Sequence, residues 1–263
     1  QHLEPVGYWH QAHAFVRGNW RNEAESSFML LAKSCHDIDW IGHVIGKPCR
    51  RVSSFGSLFH FTKANQPEGA ADRCVDCGVE ADCPYSATKI YMGMLEKGQT
   101  GWPLDVLAGE VNAETITEAI RIGPYGRCAY ACDNDVVDHQ VVNMEYDGGA
   151  TASFTMTAFN MAGSRKTRIH GTRGEIYGDG EKIIVTDFLT DQTETIDTSA
   201  ADGTMAGGHG GGDDGIMLAF LGAVSGDTPE AIVTGPQESL ETHLAVFAAE
   251  RARLNGSVET ISL

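Results

Sequence analysis

Three features that would define a protein class at once are missing from this sequence. No stretch approaches the roughly 20 consecutive apolar residues that a membrane-spanning helix needs, and no signal peptide opens the chain, so no membrane partner is expected. Positive charge is scarce, with 19 Lys and Arg against 36 Asp and Glu and a net charge of −17. Because affinity for phosphate backbones comes from Lys and Arg, no nucleic-acid partner is expected either.

A dinucleotide-binding motif is absent as well. The sequence shows no alternation of strands and helices, and no G-x-G-x-x-G follows a strand. The glycine-rich run "GHGGGDDG" (208–215) follows "GTMAG", where a nucleotide-binding unit would need a β-strand. These 263 residues are therefore not expected to form a nicotinamide site by themselves.

The composition that is present suits a folded core, with 42% hydrophobic and 21% charged residues. Apolar residues at helical spacing predict helices over 26–46, 86–98, 213–226 and 235–256. Aromatic and β-branched runs predict strands over 6–16, 49–61 and 136–197, with a hairpin turn at 147–149. Strands joined by tight turns run antiparallel. We expect an α+β fold with a large, open, mainly antiparallel sheet and helices packed on one face.

Seven cysteines are unevenly distributed, and three lie in "CVDCGVEADC" (74–83) at C-x2-C-x5-C spacing. Thiolates at Cys74, Cys77 and Cys83 can bind one metal ion, and structural zinc prefers four such ligands. Cys128 is the first candidate for the fourth ligand, followed by Cys132 and His60. The favoured interpretation is a structural zinc site that pins this loop to the domain, away from the reaction centre.

Other states of these cysteines remain open. Reduced, unliganded thiols are the default in a cytosolic chain that needs no disulfide, and a cytoplasmic location is expected. A disulfide is a further alternative. An iron–sulfur cluster is the last, because the spacing departs from the usual cluster runs.

The segment "LLAKSCHDIDW" (30–40) is the best candidate for chemistry. Lys33 and His36 are three residues apart on a predicted helix and share a face, as do His36 and Asp39. Histidine titrates nearest neutrality, which suits proton transfer, and a lysine can neutralise a developing alkoxide. The alternative is a surface histidine paired with an aspartate, without a catalytic role.

Five further residues are candidates for binding a substrate. Arginine donates to hydroxyl and carboxylate oxygens, tryptophan offers a flat wall for a sugar ring, and a helix start favours oxygen-rich ligands. Asp213 has a simpler interpretation as a helix N-cap. On the predicted first strand, residues three apart point to opposite faces, so His10 and His13 are not expected to pair. The candidates are His10, Arg17, Trp20, His209 and Asp213.

Four segments together resemble the C-terminal domain of the glucose–fructose oxidoreductase/inositol dehydrogenase/MocA family. They are 29–46, 133–159, 168–180 and 208–224. Many family members carry L-L-D-x-G-x-H-x-x-D, which here is "LLAKSCHDID". His36 and Asp39 match this pattern, Ala32 replaces the acid and Ser34 replaces the glycine.

The resemblance implies a fold like the C-terminal domain of glyceraldehyde-3-phosphate dehydrogenase. Residues 1–263 would form one substrate-binding and oligomerisation domain, with a cysteine-rich loop inserted at about 62–85. The N-terminal Rossmann domain, which binds NAD or NADP in the family, would be absent. The family role of His36 would be proton transfer from a sugar or polyol hydroxyl, with Lys33 in place of the missing acid. A homo-oligomer through the flat apolar face of the sheet is expected.

Two other functions remain open at this point. Some relatives hydrolyse glycosides with tightly held NAD⁺ through transient oxidation, and "GHGGGD" is similar to such a site. The third possibility is a non-catalytic, zinc-stabilised binding or scaffold domain.

Overall fold

The computed structural model describes residues 1–198 and 212–262. Its strands are β1 (His2–Pro5), β2 (Cys49–Ser57), β3 (His139–Tyr146), β4 (Thr151–Thr157), β5 (Lys166–His170), β6 (Gly174–Gly178), β7 (Lys182–Asp187), β8 (Gln192–Asp197) and β9 (Val258–Thr260). They form one open sheet in the order β8-β7-β6-β5-β1-β4-β3-β2-β9. Among these nine strands, only β1 and β4 pair in parallel. The expected open, mainly antiparallel sheet is confirmed.

The helices are α1 (Tyr8–His10), α2 (Met29–Ile45), α3 (Gly93–Glu96), α4 (Leu104–Leu107), α5 (Ala113–Ile122), α6 (Gly212–Ser225) and α7 (Pro236–Asn255). Two π-helices, Gln11–Arg17 and Thr88–Met92, directly follow α1 and precede α3. Short 3₁₀ turns lie at Lys63–Asn65, Cys74–Asp76, Glu80–Asp82, Pro124–Gly126 and Pro229–Ala231. The α+β class is confirmed.

The first hydrophobic core lies between one face of the sheet and helices α2 and α7. Strand residues alternate in direction, so Val142 and Met144 of β3 face inward together with Phe154 and Met156 of β4. All four are buried. The α7 residues against this face are mostly alanines, which let the helix backbone approach the sheet closely.

The opposite face of β2, β3 and β4 carries mainly polar side chains. The register places Ser53, Asn143 and Ser153 in one cross-strand row, and Arg51 and Glu145 in the next row with Thr151. The expectation of a flat apolar outer face is therefore wrong for these three strands. The physical reason is the period-two alternation, which places the apolar residues of these strands on the inner face.

The predicted strand over 6–16 is wrong, because β1 ends at Pro5 and the chain then turns into helix. Gly7 makes the turn with φ of +87°, and a Cβ there would lie 2.5 Å from the Cβ of Ala162. Aromatic and β-branched content suggested a strand. In the structure Phe15 and Val16 instead pack in two different cores from a helical segment.

The boundaries of α2 are partly as predicted. The helix ends at Gly46, whose φ of +65° lies in the left-handed region, as the Gly-x-Pro stop indicated. The predicted serine N-cap is wrong, since Phe28 occupies the N-cap position and no side chain caps the helix.

A second hydrophobic core surrounds the cysteine-rich segment. It joins the π-helix after α1 to residues 61–130 and is rich in tyrosine. Buried Tyr85, Tyr91, Tyr125 and Tyr130 line it together with Phe61. The cysteine-rich segment crosses this core as short 3₁₀ turns, which agrees with the predicted loop.

His13 couples this second core to pH. The ring is buried, stacks on Tyr125 at 4.8 Å between centroids, and hydrogen-bonds the Tyr91 hydroxyl at 2.9 Å. Burial, reinforced by the charge of Arg17, lowers the pKa of His13 from 6.5 to about 4. As pH falls, His13 therefore becomes protonated near pH 6.5 in the unfolded chain but only near pH 4 in the folded chain.

We expect the contribution of His13 to the free energy of unfolding to be fully present above pH 6.5. At pH 5 this contribution should have fallen by about 2 kcal/mol. Urea denaturation at pH 7 and pH 5 measures this loss. His13→Gln, which cannot titrate, should lose less stability between these pH values than the parent chain. His43→Gln is the matched control, because His43 is exposed and lies outside the second core. An unaltered pH dependence in His13→Gln would contradict the assignment.

Candidate functional site

A cluster of five charged or titratable side chains lies where β1, α2 and the segment before β5 meet. Residues 33, 36 and 37 share one face of α2 because they are three and four positions apart. That face lies over β1, whose residue 4 points to the inner side of the sheet next to Met156. We call the set Glu4, Lys33, His36, Asp37 and Arg165 the charged cluster.

Ion pairs link the four charged members of the cluster, and a hydrogen bond joins His36 to them. Lys33 Nζ lies 3.1 Å from Glu4 Oε1, and Arg165 Nε lies 3.0 Å from Glu4 Oε2. Arg165 also pairs with Asp37 Oδ1, and its Nη2 contacts His36 Nε2. The Glu4 and Asp37 carboxylates are 5% and 1% exposed, whereas 58% of the His36 side chain faces solvent. Buried anions thus hold a solvent-facing imidazole between cations.

A chain of two hydrogen bonds runs from Thr167 through His2 to Asp37. His2 Nε2 lies 3.2 Å from Asp37 Oδ1, and His2 Nδ1 lies 2.8 Å from Thr167 Oγ1 on β5. Burial by itself would raise the pKa of Asp37. The hydrogen bonds from His2 and Arg165, together with the positive charge of Arg165, instead lower it from 3.8 to about 2. Asp37 is therefore ionised at neutral pH.

His36 is neutral at neutral pH. Desolvation lowers the pKa of its ring, the charges of Arg165 and Lys33 lower it further, and the anionic Asp37 opposes them. Since a guanidinium can only donate, Nε2 of His36 accepts from Arg165 and the ring proton lies on Nδ1. Nε2 is thus the basic atom of this imidazole.

Sequence reasoning placed Asp39 beside His36, but Asp39 Oδ1 accepts a hydrogen bond of 2.7 Å from Thr242 on α7. The acid next to the imidazole is Asp37, 3.4 Å from His36 Nε2. Asp37, Glu4 and Arg165 were missed. An inward-facing glutamate on β1 was a usable sign, because a buried carboxylate needs a cation.

His10 and Trp20 lie in an aromatic surface near the charged cluster. The His10 ring contacts Trp102 at 5.0 Å and Phe15 at 5.9 Å, and Phe15 stacks on Trp20 at 6.0 Å. Burial, with the charge of Lys33, lowers the pKa of His10 to about 3. His13 contacts the same Trp102 ring at 5.4 Å, so the two histidines are neighbours on a helix and do not lie on opposite faces of a strand.

The other three predicted substrate residues lie away from the charged cluster or outside the residues that the structure describes. Arg17 is 1% exposed in the second core, where Nε donates to Arg127 O and Nη2 to Tyr85 O, each at 2.7 Å. A surface role in binding substrate does not fit that position. Asp213 lies in the first turn of α6. His209 falls outside the described residues.

The four predicted metal ligands Cys74, Cys77, Cys83 and Cys128 line one cavity. Cys132 and His60 do not line it; His60 Nε2 lies 3.1 Å from the Tyr130 hydroxyl. All seven cysteines are free thiols in the structure. Within residues 1–198 and 212–262, no three His, Cys, Asp or Glu side chains lie close enough together to hold a single metal ion. The zinc interpretation therefore has no support from this geometry.

Comparison with known proteins connects this geometry to a family. The family described as "Oxidoreductase family, C-terminal alpha/beta domain" (GFO/IDH/MocA) matches residues 4–237. The chain belongs to this family. "Putative oxidoreductase YteT" of Bacillus subtilis (strain 168) is 24% identical over 242 residues, which cover 82% of this chain and 52% of that protein. The chain thus spans about half the length of this curated relative.

Solved structures of family proteins share the fold. Levoglucosan dehydrogenase in complex with NADH and levoglucosan matches 99% of this chain and 57% of its own, with a TM-score of 0.57 and 14% identity. An oxidoreductase from Agrobacterium radiobacter in complex with NAD⁺, L-tartaric acid and magnesium matches 99% of this chain and 55% of its own, with a TM-score of 0.56 and 13% identity. At these identities the likeness concerns the fold.

Neither a nucleotide-binding unit nor a membrane helix is found in the part of the chain that the structure describes. The parallel strands β1 and β4 are separated by residues 6–150 and are not joined by a single crossover helix, so they do not form a βαβ unit. None of the described helices is long and apolar enough to cross a bilayer.

The charged cluster predicts a stability effect at Asp37. We expect Asp37→Asn to lower the free energy of unfolding at pH 7 by about 2 kcal/mol, because Arg165 then loses a buried anionic partner. Since the folded pKa lies below the unfolded one, this contribution is present above about pH 4 and disappears as pH falls towards 2. Urea denaturation at pH 7 and pH 3 measures it.

Asp39→Asn is the matched control, two residues further along α2. Its partner is the neutral hydroxyl of Thr242, so we expect a loss below about 1 kcal/mol at pH 7. Equal losses for the two variants at pH 7 would contradict the role assigned to Asp37.

Proposed function

We propose that this chain is the substrate-binding half of an NAD(P)-dependent oxidoreductase acting on a sugar, polyol or related hydroxylated small molecule. The observation that carries this proposal is a neutral, solvent-facing imidazole, His36, held between Asp37 and Arg165. A general base must be unprotonated at the working pH, and the lowered pKa of His36 meets that requirement.

The side chains around His36 suit the removal of a hydroxyl proton. A substrate hydroxyl would take the place of the Arg165 guanidinium at Nε2, where Arg165, with 41% of its side chain exposed, has room to move. Asp37 would stabilise the imidazolium that forms. Lys33, 18% exposed and paired with Glu4, would stabilise negative charge on the substrate oxygen.

The aromatic surface beside the cluster suits the apolar face of a sugar ring. Trp102 is 48% exposed and Trp20 is 44% exposed, and His10 connects them through Phe15. A nicotinamide would supply the hydride acceptor. Residues outside this chain would hold that nucleotide, in keeping with the chain spanning about half of its relatives' length.

The full-length protein tests this proposal. Binding of NAD⁺ and NADP⁺ is measured by calorimetry, and nicotinamide reduction is followed in the presence of a panel of sugars, polyols and their acids. Net NAD(P)H formation with a hydroxylated substrate would support the proposal. Release of free sugar from an aryl glycoside without net reduction would favour an NAD-dependent glycoside hydrolase. Absence of nucleotide binding would favour a non-catalytic domain.

We also propose that the chain forms a homo-oligomer through the outer face of the sheet. Support comes from the flat rows of short polar side chains, such as Ser53, Asn143 and Ser153, and from Phe55, which is 67% exposed in the middle of β2. Light scattering of the full-length protein should give a multiple of the monomer mass, and Ser153→Arg should reduce it. The free thiols of all seven cysteines support a reducing, cytoplasmic location.

A further inference from the structure

A surface cleft beside the second core is lined by four arginines. They lie at the end of the π-helix after α1 and in the loop that follows it, just before the 3₁₀ turn Cys74–Asp76, and just after the turn Pro124–Gly126. About 290 Å³ of the cleft is open to a water-sized sphere, and among the described residues no Asp or Glu lines it. In a chain with a net charge of −17, such a concentration of positive charge is unexpected. We call the set Arg17, Arg21, Arg73 and Arg127 the arginine cleft.

Two of these arginines meet no carboxylate. Arg73 Nη2 donates to Ile120 O at 2.8 Å and to Gly123 O at 2.6 Å, while its Nε is buried without a hydrogen-bond partner. Arg17 is 1% exposed, and its Nη1 is buried without a partner as well. In the part of the chain that the structure describes, neither guanidinium forms an ion pair. A buried cation without a counter-charge is costly, so both arginines favour a nearby anion.

The other two arginines already bind carboxylate oxygens. Arg21 donates to both oxygens of Asp133, from Nε at 2.9 Å and from Nη2 at 3.0 Å, and Arg127 Nη1 donates to the same Oδ1 at 2.8 Å. The hydrogen bonds from Arg21 and Arg127 hold the pKa of Asp133 well below its usual range, although burial opposes them. Glu25 Oε2 also pairs with Arg21 at 3.0 Å. Two carboxylates thus meet four guanidinium groups, which leaves a surplus of two positive charges.

The main chain holds like charges together at this cleft. An isolated antiparallel bridge places Arg73 directly opposite Arg127. Arg17 Nε donates to Arg127 O at 2.7 Å, and Arg127 Nη2 donates back to Arg17 O at 3.2 Å. Like charges directly opposite each other on paired strands are destabilising. An anion between the guanidinium groups would remove this repulsion, and donors that are already in place bind it with little further loss of conformational freedom.

We propose that the arginine cleft binds a small oxyanion with two negative charges, of the kind carried by a phosphate monoester or a dicarboxylate. The planar fork of a guanidinium matches the oxygens of both groups. Two negative charges equal the surplus that Asp133 and Glu25 leave uncompensated. The three partly exposed arginines would donate to the anion, and buried Arg17 would add its charge from the side of the core. This site is independent of the charged cluster and of the proposed oxidoreductase function.

Calorimetric titration of the full-length protein with inorganic phosphate, malonate and chloride at equal ionic strength tests the proposal. We expect saturable binding of phosphate or malonate and none of chloride. Tighter binding of phosphate would assign the cleft to a phosphate monoester, and tighter binding of malonate would assign it to a dicarboxylate. Because the contacts join opposite charges, the affinity should fall as salt is raised. Absence of saturable binding of both dianions would overturn the proposal.

Two arginine variants locate the bound anion. Arg73→Gln should raise the dissociation constant about tenfold or more, because a charge and a charge-assisted hydrogen bond are lost. Arg121→Gln is the matched control, since Arg121 lies on α5 outside the cleft and pairs with Glu118 at the surface. It should leave the dissociation constant within about twofold. Equal dissociation constants for the two variants would overturn the assignment of the anion to this cleft.

A third variant separates anion binding from damage to the fold. Asp133→Asn removes the carboxylate that competes for Arg21 and Arg127, and it raises the surplus of positive charge from two to three. We expect the dianion to bind about two- to fivefold more tightly to this variant. Damage to the fold would weaken binding and could not produce such a gain. Unchanged or weaker binding by Asp133→Asn would overturn the role of the charge surplus.

Discussion

Replacing His36 with Ala in the full-length protein is expected to lower kcat by about 10²- to 10⁴-fold, with a much smaller change in KM. The imidazole is the only group of the charged cluster that is both solvent-facing and able to accept a proton near neutral pH. Glu4 and Asp37 are buried and paired, and Lys33 and Arg165 are cationic. Its removal takes away the base without removing the aromatic surface that would bind the substrate. Steady-state kinetics measure the effect.

The pH profile and a matched variant sharpen this prediction. The lowered pKa of His36 predicts that kcat rises with pH to a plateau, with a midpoint below the pKa of an ordinary histidine. His43→Ala changes a second exposed histidine on α2 and should leave kcat within about twofold. If His36→Ala keeps nearly full kcat, or if the two variants behave alike, His36 is not the base.

Gly126→Ala is expected to destabilise the chain by about 3 kcal/mol or more. A Cβ at this buried position would lie 1.6 Å from the carbonyl oxygen of Ile120, at the end of α5. That oxygen accepts a hydrogen bond of 2.8 Å from Arg73, so it is not free to move. The turn would have to open, which would displace Cys128 two residues later. Urea denaturation gives the loss.

Gly93→Ala is the control for this substitution. Gly93 begins α3, and no atom lies within 4 Å of a Cβ placed there. Alanine in a helix restricts the unfolded chain and costs no contact, so we expect unchanged or slightly raised stability, by at most about 1 kcal/mol. A loss for Gly93→Ala similar to that for Gly126→Ala would show that the close approach to Ile120 is not the cause.

Much of the fold could be predicted because it rests on local rules. The hairpin at 147–149 was correctly placed, since Gly148 and Gly149 both adopt positive φ. The stop of α2 at Gly46 was correct for the same reason. The segment 6–16 was wrongly predicted to be a strand, because aromatic side chains pack equally well on a helix. The parallel pairing of β1 with β4 depends on contacts across about 150 residues, which no local pattern encodes.

The candidate site also has one part that follows from sequence spacing and one part that does not. Lys33 and His36 share a helix face, and that follows from their spacing. The choice of Asp37 over Asp39 does not follow from spacing, because positions two apart on a helix face different neighbours. Asp37 meets Arg165, whereas Asp39 meets Thr242 of α7. Arg165 is far away in the chain, and only the pairing of β1 with β5 brings it to the site.

The amino-acid sequence by itself determined the α+β class, the family and two groups of residues, one around His36 and one of cysteines, because each depends on short-range spacing. Only the tertiary structure decided which residues complete each group. It buried Arg17 against the cysteines, where the sequence placed it on a substrate surface, and it turned the apolar side of β2–β4 inward. The physical reason is that burial and charge pairing are settled by which distant elements pack together.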